Sequence, residues 1–451
     1  MKNVTPKALL RKLGGLAVCL GVAASVQAQE LLTLEQSLEL ARLNNVALRQ
    51  AKYNSSKATV KLRQNQFAYL PAITARGDIS RVNGLTFDNV QGEVKRGNTT
   101  TSNPYLVGEL VLFEGFARLF EMKQAREQAT AGKYTASQAE IDLEATITGK
   151  FMQAILDREN IRIATERIAL LEQQTKRMEI LERAGTHTES DVYQLKSQLA
   201  TEKLNLITNQ NNYRQSMLAL VQEMNAGSNL DYELQAPTDP LDITAPLPPL
   251  DSVLARAVAY SPLLKASKAT VGATQYGLSM ARSNLSPTLS LNGIVGSNFS
   301  SNIMQTNPET QLQEQTPYFD QLNQNQQNIV QLSLSIPVFN GLRNHFQAQM
   351  ARIDLRNAEL DYVATENTLR QTVQQAYQDV LAAREKYNTV IANLAYTEKA
   401  YEMAQRRYEA GVMDFYAYLE SLNNKNKAEA ELIQSKCEFY FKQRILQLYQ
   451  G

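Results

Sequence analysis

The side chains that could carry out chemistry are few and far apart in this sequence. It contains two histidines (His187 and His345), two cysteines (Cys19 and Cys437) and no tryptophan. A zinc site of the His/Cys type needs three or four close ligands, and a serine or cysteine nucleophile needs an imidazole beside it. The sequence therefore predicts no metal site and no cofactor site, and we expect a protein that is not an enzyme.

The charged residues give no indication of a nucleic-acid partner. The 451 residues include 46 Lys+Arg and 45 Asp+Glu, so the chain as a whole lacks the basic excess on which nucleic-acid binding depends. Hydrophobic residues make up 43% and charged residues 20%, which is typical of a folded rather than a disordered chain. The composition therefore indicates a folded protein and gives no support to nucleic-acid binding.

Residues 1–28 have the pattern of a signal peptide. A basic start is followed by an apolar run over 13–24, which is too short to span a membrane as a helix, and by small residues up to Ala28. We expect cleavage after Ala28 and export of the mature chain. Cys19 leaves lipidation of its thiol as an alternative, although Val18 stands where a lipoprotein signal has a small residue.

The rest of the chain reads as two copies of one unit, residues 29–236 and 250–451, joined by a proline-rich linker at 237–249. Three stretches carry the similarity: 34–38 with 250–254, 113–116 with 339–342, and 184–185 with 410–411. Two ungapped registers cover most of both copies, with one change of about ten residues between them in the loop between the strands. Prolines forbid a helix in the linker.

Each copy is predicted to form a helix, two strands, a long helix and a further helix. The predicted helices cover 34–67, 116–184 and 344–410, with about 40 more helical residues after each of Gly185 and Gly411. The predicted strands cover 72–80, 106–112, 289–295 and 329–336, with polar loops at 81–103 and 297–328. Long coiled coils without strands would be the alternative, and the strands argue against it.

The strands have the length and period-two alternation of membrane-spanning β-strands. A soluble sheet made of two hairpins is the alternative for the strands taken alone. Four strands cannot close a barrel, and an open edge in lipid leaves backbone groups without hydrogen bonds. We therefore expect copies of the chain to share one barrel: two copies would give eight strands and a filled lumen, and three would give twelve and a passage.

The ordered set of these features resembles the outer-membrane efflux protein family, the TolC-type channels of Gram-negative bacteria. The features are the duplication, a proline where each first helix meets its strand (Pro71 and Pro287), Phe-x-Gly before each long helix, and the helix reversals at 183–192 and 407–420. The resemblance implies a mainly α fold with a transmembrane β portion. Long helical hairpins would form a periplasmic tunnel, and four strands per chain would join a twelve-stranded trimeric barrel.

The resemblance also implies the partners. These would be two further copies of the chain in a homotrimer, the lipid of the outer membrane, a periplasmic adaptor protein and an inner-membrane transporter. Nothing in the sequence resembles a nucleotide-binding loop, so the energy for transport would come from the transporter. The implied function is a passive exit duct for efflux or type I secretion, and a periplasmic coiled-coil adaptor or scaffold is the alternative.

In such channels the turns between helices lie at the periplasmic tips, which here correspond to Gly185 and Gly411. Acidic residues beyond the second turn narrow the pore, and of the two matching positions Ala417 lacks a carboxylate whereas Glu420 has one. Three copies of Glu420 would then favour cations at the entrance. A solvated helix position without a role is the alternative for Glu420.

Links between neighbouring helices hold the tips closed in the family. Tyr408 and Asp191 match one such pair, which predicts a hydrogen bond from the phenol to the carboxylate. The second link pairs a basic residue with a hydroxyl, and here those positions hold Met413 and Ser190, so this link cannot form in the same way. His187, near Gly185, is expected to be a polar residue of the tip.

Overall fold

The computed structural model describes residues 30–88, 92–227, 232–236, 246–309 and 311–451. The predicted signal peptide therefore lies outside the described residues, as does most of the linker, of which only 246–249 are described.

Helices dominate the described part of the chain, and most of them occur as pairs of equal length. They are α1 (Leu34–Asn44), α2 (Val46–Phe67), α3 (Ala117–Arg183), α4 (Glu189–Met224), α5 (Leu250–Tyr260), α6 (Pro262–Ser283), α7 (Tyr318–Gln324), α8 (Arg343–Glu409) and α9 (Phe415–Gln450). α1 and α5 have 11 residues each, α2 and α6 have 22, α3 and α8 have 67, and α4 and α9 have 36.

Equivalent helices of the two halves are separated by a constant number of residues before the strands and by a second constant number after them. α5 begins at 250 where α1 begins at 34, and α8 begins at 343 where α3 begins at 117, so the offset changes from 216 to 226 residues between them. The local chemistry repeats as well. Asn45 and Ser261 cap α2 and α6, and Thr188 and Asp414 cap α4 and α9.

One predicted helix is in fact two. The prediction of a single helix over 34–67 is wrong, because Asn45 has an extended backbone conformation that ends α1. Asn45 also caps α2, since its Oδ1 accepts a hydrogen bond from the Leu48 amide at 3.0 Å. The Asn45 amide also donates to the Glu223 carbonyl at 3.0 Å. These side-chain bonds give the backbone an alternative to continuing the helix.

Two long strands from each half form the main sheet, which is antiparallel, and short strands form two smaller sheets. The strands are β1 (Glu30–Leu32), β2 (Ala72–Asp88), β3 (Glu93–Glu114), β4 (Tyr232–Leu234), β5 (Thr288–Gly296), β6 (Phe299–Ser300), β7 (Met304–Thr306), β8 (Gln313–Gln315) and β9 (Gln327–Ser335). The main sheet has the order β2-β3-β5-β9, with β6 beside β3; β1 pairs with β4 in parallel, and β7 pairs with β8.

The first predicted loop is largely strand. β2 and β3 stay paired through most of 81–103, out to Asp88 opposite Glu93, so the prediction of a loop there is wrong. The polar composition of this stretch suggested a loop, but threonine is a strand former and the antiparallel ladder satisfies its backbone.

The sheet has an apolar face and a mostly polar face, because cross-strand neighbours match in character. On the mostly polar face one row is apolar and consists of Val107, Ile294 and Ile329. Successive rows across β3, β5 and β9 are Leu110, Leu291 and Leu332, and then Glu109, Asn292 and Gln331. Leu332 and Leu334 of β9 are 63% and 64% exposed, so the apolar face is uncovered in the single chain. None of the helices in the described ranges is long and apolar enough to cross a membrane.

The helices pack side by side around three apolar cores. α3 packs against α2, α4 and α6, and α8 packs against α6 and α9. One core joins α1, α3 and α4 around the fully buried Phe151, a second joins α5, α8 and α9 around Val373, and a third lies near the turns that follow α3 and α8.

An ion-pair cluster ties the two halves together next to the first core. The nearly buried carboxylate of Glu144 on α3 accepts hydrogen bonds from Arg42 of α1 at 3.1 Å and from Arg444 of α9 at 2.9 Å. Because α1 belongs to the first half and α9 to the second, one carboxylate holds both ends of the described chain on the long helix.

Candidate pore gate at the helix tips

Each long helix reverses through a tight turn at a glycine. Gly185 and Gly411 have φ values of 75° and 72°, a left-handed conformation that glycine adopts without the steric cost of a Cβ. Their amides bond back to Glu182 and Tyr408 carbonyls at 2.8 and 3.0 Å, which closes the helix ends. Both glycines are exposed, so the predicted tip turns lie at the free ends of two helical hairpins.

Aromatic side chains on both helices of the second hairpin, α8 and α9, pack together beside the Gly411 turn and against residues of α3 and α4. The Tyr408 ring of α8 stacks on the Tyr418 ring of α9, with centroids 4.9 Å apart and planes at 13°. Phe415 lies against both rings. Phe415 and Tyr418 are each 5% exposed and belong to the third core. Burial raises the pKa of both tyrosines, so their hydroxyls stay protonated.

The hydroxyl of Tyr418 bonds across to the other hairpin. It accepts a hydrogen bond from the Gln174 amide of α3 at 2.6 Å and lies 3.3 Å from the Tyr401 hydroxyl. The buried Gln174 carbonyl oxygen has no partner among the described residues. These groups line a cavity of about 210 Å³ between the hairpins.

Two further hydrogen bonds join the hairpins away from the turns. The Gln198 amide of α4 donates to the Asn423 side-chain oxygen of α9 at 3.0 Å, and Arg167 of α3 donates to the Asn426 carbonyl. The contact between hairpins thus consists of an apolar core with a few directed polar bonds.

The predicted pair of Tyr408 and Asp191 lies together in the structure, but the carboxylate of Asp191 is engaged elsewhere. It accepts hydrogen bonds from the Thr188 amide at 3.0 Å and the Thr188 hydroxyl at 2.9 Å, which form a capping box at the start of α4. The Thr188 backbone bond lowers the pKa of Asp191. The charge of Asp191 adds to burial in raising the pKa of Tyr408, so the two are neighbours. A direct bond between them stays a prediction.

The imidazole of His187 lies between these groups. Its Nδ1 is 3.7 Å from the Asp191 carboxylate, and its ring centroid is 6.3 Å from that of Tyr408. It is thus a polar residue at the tip that contacts both members of the predicted link.

Glu420 and its neighbours occupy different faces of α9. Glu420 is exposed and has no ion-pair partner among the described residues, whereas Leu419 and Leu422 beside it are buried. Ala417 is half-buried, and Ser190 at the start of α4 is exposed. Met413 packs on the third core. Met413 therefore makes an apolar contact at the position where the resemblance implies a basic residue in the second link.

Neither Gln174 nor Tyr418 is among the site residues predicted from the sequence. A signal for the cluster does exist: Tyr401 and Tyr408 are seven residues apart before Gly411, and Phe415 and Tyr418 are three apart after it. Each spacing places two aromatic side chains on one face of a helix, and the glycine turn brings the two faces together. Gln174 could not be found in this way, because its partner comes from the other half of the chain.

The family comparison covers nearly all of the described helices. The sequence model of the outer membrane efflux protein family matches residues 37–226 and 253–448. The chain belongs to this family. A sequence comparison with curated proteins gives no match.

Solved structures show the same fold for this outer membrane efflux protein. CusC, described in a study of folding and transmembrane channel formation, is 16% identical with a TM-score of 0.77, covering 93% of this chain and 92% of CusC. The CmeC outer membrane channel of Campylobacter jejuni is 18% identical with a TM-score of 0.75, covering 93% and 85%. The outer membrane protein VceC of Vibrio cholerae is 15% identical with a TM-score of 0.74, covering 93% and 96%.

Membership in the family confirms the predicted resemblance and fold class and places the protein in the outer membrane, with its helical tunnel in the periplasm. The family is one of efflux channels, and this favours the channel over the periplasmic adaptor that the sequence left as an alternative.

Proposed function

We propose that this outer membrane efflux protein assembles as a homotrimer and acts as the passive exit duct of a tripartite efflux or type I secretion system. Its partners would be a periplasmic adaptor protein and an inner-membrane transporter, which supplies the energy. The observation that carries the proposal is the layout of the chain: an open four-stranded sheet with an exposed apolar face at one end of the long helices, and two helical hairpins at the other.

An open sheet supports the trimer. Among the described residues β2 and β9 each pair with a strand on one side only. Unpaired backbone groups at such edges are costly in lipid, so copies of the chain must join edge to edge until the sheet closes. Three copies give twelve strands, enough to leave a passage. No step of this function requires a catalytic centre, and we propose that the protein has none and binds no cofactor.

The tips are the proposed closed end of the duct. Glu420 is exposed on α9 just beyond the Gly411 turn, and three-fold symmetry would place three such carboxylates around the axis. A ring of carboxylates favours cations in a narrow pore. We assign the pore constriction to Glu420 and a gate link to Tyr408 and Asp191.

Purified trimers in a planar bilayer test the role of Glu420. Glu420→Gln should lower the preference for cations, measured as the reversal potential in a salt gradient, because the ring loses its charge. Glu420→Asp keeps the charge and should preserve the preference. An unchanged reversal potential in Glu420→Gln would remove Glu420 from the pore. Recovery of the mature protein in the soluble periplasmic fraction without detergent would instead contradict the channel itself.

A further inference from the structure

The cavity between the two hairpins has one wall from each of them. The first wall is one face of α3 and includes side chains four residues apart: Leu170, Gln174 and Met178. The second wall comes from α8 and α9 and includes four aromatic rings: Tyr401, Tyr408, Phe415 and Tyr418. Its volume of about 210 Å³ exceeds the roughly 150 Å³ in which an apolar protein cavity holds benzene. The space is therefore large enough for a molecule of one or two rings.

The aromatic wall is particular to the second half of the chain. At the constant offset of 226 residues, the equivalents of the four aromatic residues in the first half are Thr175, Glu182, Glu189 and Val192. The first half nevertheless forms a long helix, a glycine turn and a second helix of the same lengths. The hairpin fold itself therefore does not require the four rings.

The α3 wall offers one free hydrogen-bond acceptor. The Gln174 amide nitrogen donates to the Tyr418 hydroxyl at 2.6 Å, and that hydroxyl lies 3.3 Å from the Tyr401 hydroxyl. The side-chain oxygen of Gln174 is buried and has no hydrogen-bond partner among the described residues. A buried acceptor without a partner costs free energy until a donor reaches it. A molecule with an N–H or O–H group would supply that donor.

The charges around the cavity do not favour an ionic ligand. Its lining carries one exposed charge of each sign, Arg177 on α3 and Glu409 on α8. The Lys425 ammonium lies 5.5 Å from the centre of the Tyr401 ring, so a cation is already in place over that ring. An anionic ligand would meet the negative faces of the aromatic rings. A neutral molecule avoids both kinds of repulsion.

We propose that this cavity binds a neutral aromatic molecule with one N–H or O–H donor, and that the bound molecule holds the two hairpins together. Its ring packs on the tyrosines, and its donor reaches the Gln174 oxygen. Because the two walls belong to different hairpins, the site is complete only while the hairpins touch, so the molecule binds the closed arrangement more tightly. The binding itself is independent of the duct, whereas its effect on opening rests on the proposed function.

Indole and 1-methylindole are matched probes, since the second lacks the N–H group. The protein contains no tryptophan, so the emission of indole reports its binding to the detergent-solubilised protein without a tryptophan background. A titration should show saturable binding of indole at one site per chain. 1-Methylindole should bind about tenfold more weakly, because the hydrogen bond to the buried acceptor is lost.

Gln174→Leu tests whether the N–H group meets this particular oxygen. Without the acceptor, the variant should bind the two probes equally, whatever its own affinity for them. Gln173→Leu is the matched control, because Gln173 lines the same cavity but is exposed. This control should keep the tenfold preference for indole. Since both probes are compared on each variant, a general change in tip packing does not alter the ratio.

Single-channel recording in a planar bilayer tests the effect on opening. Indole at ten times its dissociation constant should lower the open probability about tenfold, because it stabilises the closed arrangement by mass action. 1-Methylindole at the same concentration should lower it only about twofold. Trimers of Gln174→Leu should respond to the two probes alike.

The outcomes separate this inference from the proposed duct. Absence of saturable indole binding, or equal binding of the two probes by the wild-type protein, overturns the site and leaves the duct standing. A preference for indole that persists in Gln174→Leu places the probe elsewhere and also overturns the site. The expected binding with an unchanged open probability shows that the molecule does not hold the hairpins together. A protein that binds indole as expected but never conducts supports the site and contradicts the duct.

Discussion

The Tyr418 hydroxyl lies at a direct polar contact between the two helical hairpins. Its bond from Gln174 is short, at 2.6 Å, and Gln174 has an unpaired buried oxygen beside it. A buried polar group that loses its partner costs about 1–3 kcal/mol. A change at this hydroxyl should therefore affect how firmly one hairpin holds the other.

We expect Tyr418→Phe to loosen the tips while keeping the ring stack with Tyr408. The loss of about 1 kcal/mol from the closed arrangement corresponds to a roughly fivefold shift in an open–closed equilibrium. Single-channel recording in a planar bilayer should show the shift as a higher open probability.

Tyr396→Phe is the matched control, since the Tyr396 side chain on α8 is 73% exposed. Removal of its hydroxyl should leave the open probability unchanged. If the two variants behave alike, the bond between Tyr418 and Gln174 does not hold the tips.

At the level of single residues, the sequence predicted the two turns at Gly185 and Gly411 but not the hydrogen bonds between the hairpins beside them. Gly185 and Gly411 could be recognised because a left-handed turn restricts the residue type. Thr188 precedes Asp191 by three residues, which is the pattern of a capping box, but Asp191 was predicted only as the partner of Tyr408. The contact of Gln174 with Tyr418 spans 244 residues, and no local rule links positions so far apart.

Among the elements, the ends of the helices were predictable to within a few residues because prolines and glycines mark them. The long helix predicted over 344–410 is observed as Arg343–Glu409. The break at Asn45 was missed, since the apolar spacing continues through it, and the outer parts of β2 and β3 were missed because their composition is polar.

The cap at the start of α2 should matter more than its counterpart in the second half. Asn45→Ala removes both the bond to the Leu48 amide and the bond to the Glu223 carbonyl, so we expect a loss of about 2 kcal/mol in the free energy of unfolding. Ser261→Ala removes a single capping bond to the Leu264 amide at 3.3 Å and should cost about 1 kcal/mol.

Thermal unfolding of the detergent-solubilised protein, followed by circular dichroism, measures both variants. The two caps are similarly buried, at 8% and 6% exposure, so burial alone predicts equal losses. Equal shifts in melting temperature would show that the bond to Glu223 contributes nothing.

At the scale of the whole molecule, the ion-pair cluster around Glu144 is expected to stabilise the packing of α1 and α9 on the long helix α3. Glu144→Gln would leave the guanidinium groups of Arg42 and Arg444 facing a neutral amide. We expect the free energy of unfolding to fall by about 2 kcal/mol, since hydrogen bonds to charged groups contribute about 1.5–3 kcal/mol.

The control for this change is an exposed ion pair on α8. Glu366 bonds Arg370 at 2.7 Å one turn away, and Glu366→Gln should change stability by about 0.5 kcal/mol or less. The same thermal unfolding assay measures both. A loss in Glu144→Gln no larger than that in Glu366→Gln would mean that the two halves are held by their apolar contacts alone.

Over the 67-residue helices, a small tilt near the middle produces a large displacement at the end. From the first core, where Ile155 is buried, α3 runs 28 residues to its end at Arg183, a distance of about 42 Å at 1.5 Å per residue. If a hairpin tilts by about 5° at that core, its tip moves by about 3.7 Å over a helix of this length. Gln174 lies 19 residues from Ile155, about 28 Å along the helix, and so moves by about 2.5 Å, which is more than its hydrogen bond of 2.6 Å to Tyr418 tolerates. A tilt of a few degrees near the middle of the molecule is thus enough to separate the groups that join the hairpins toward their tips.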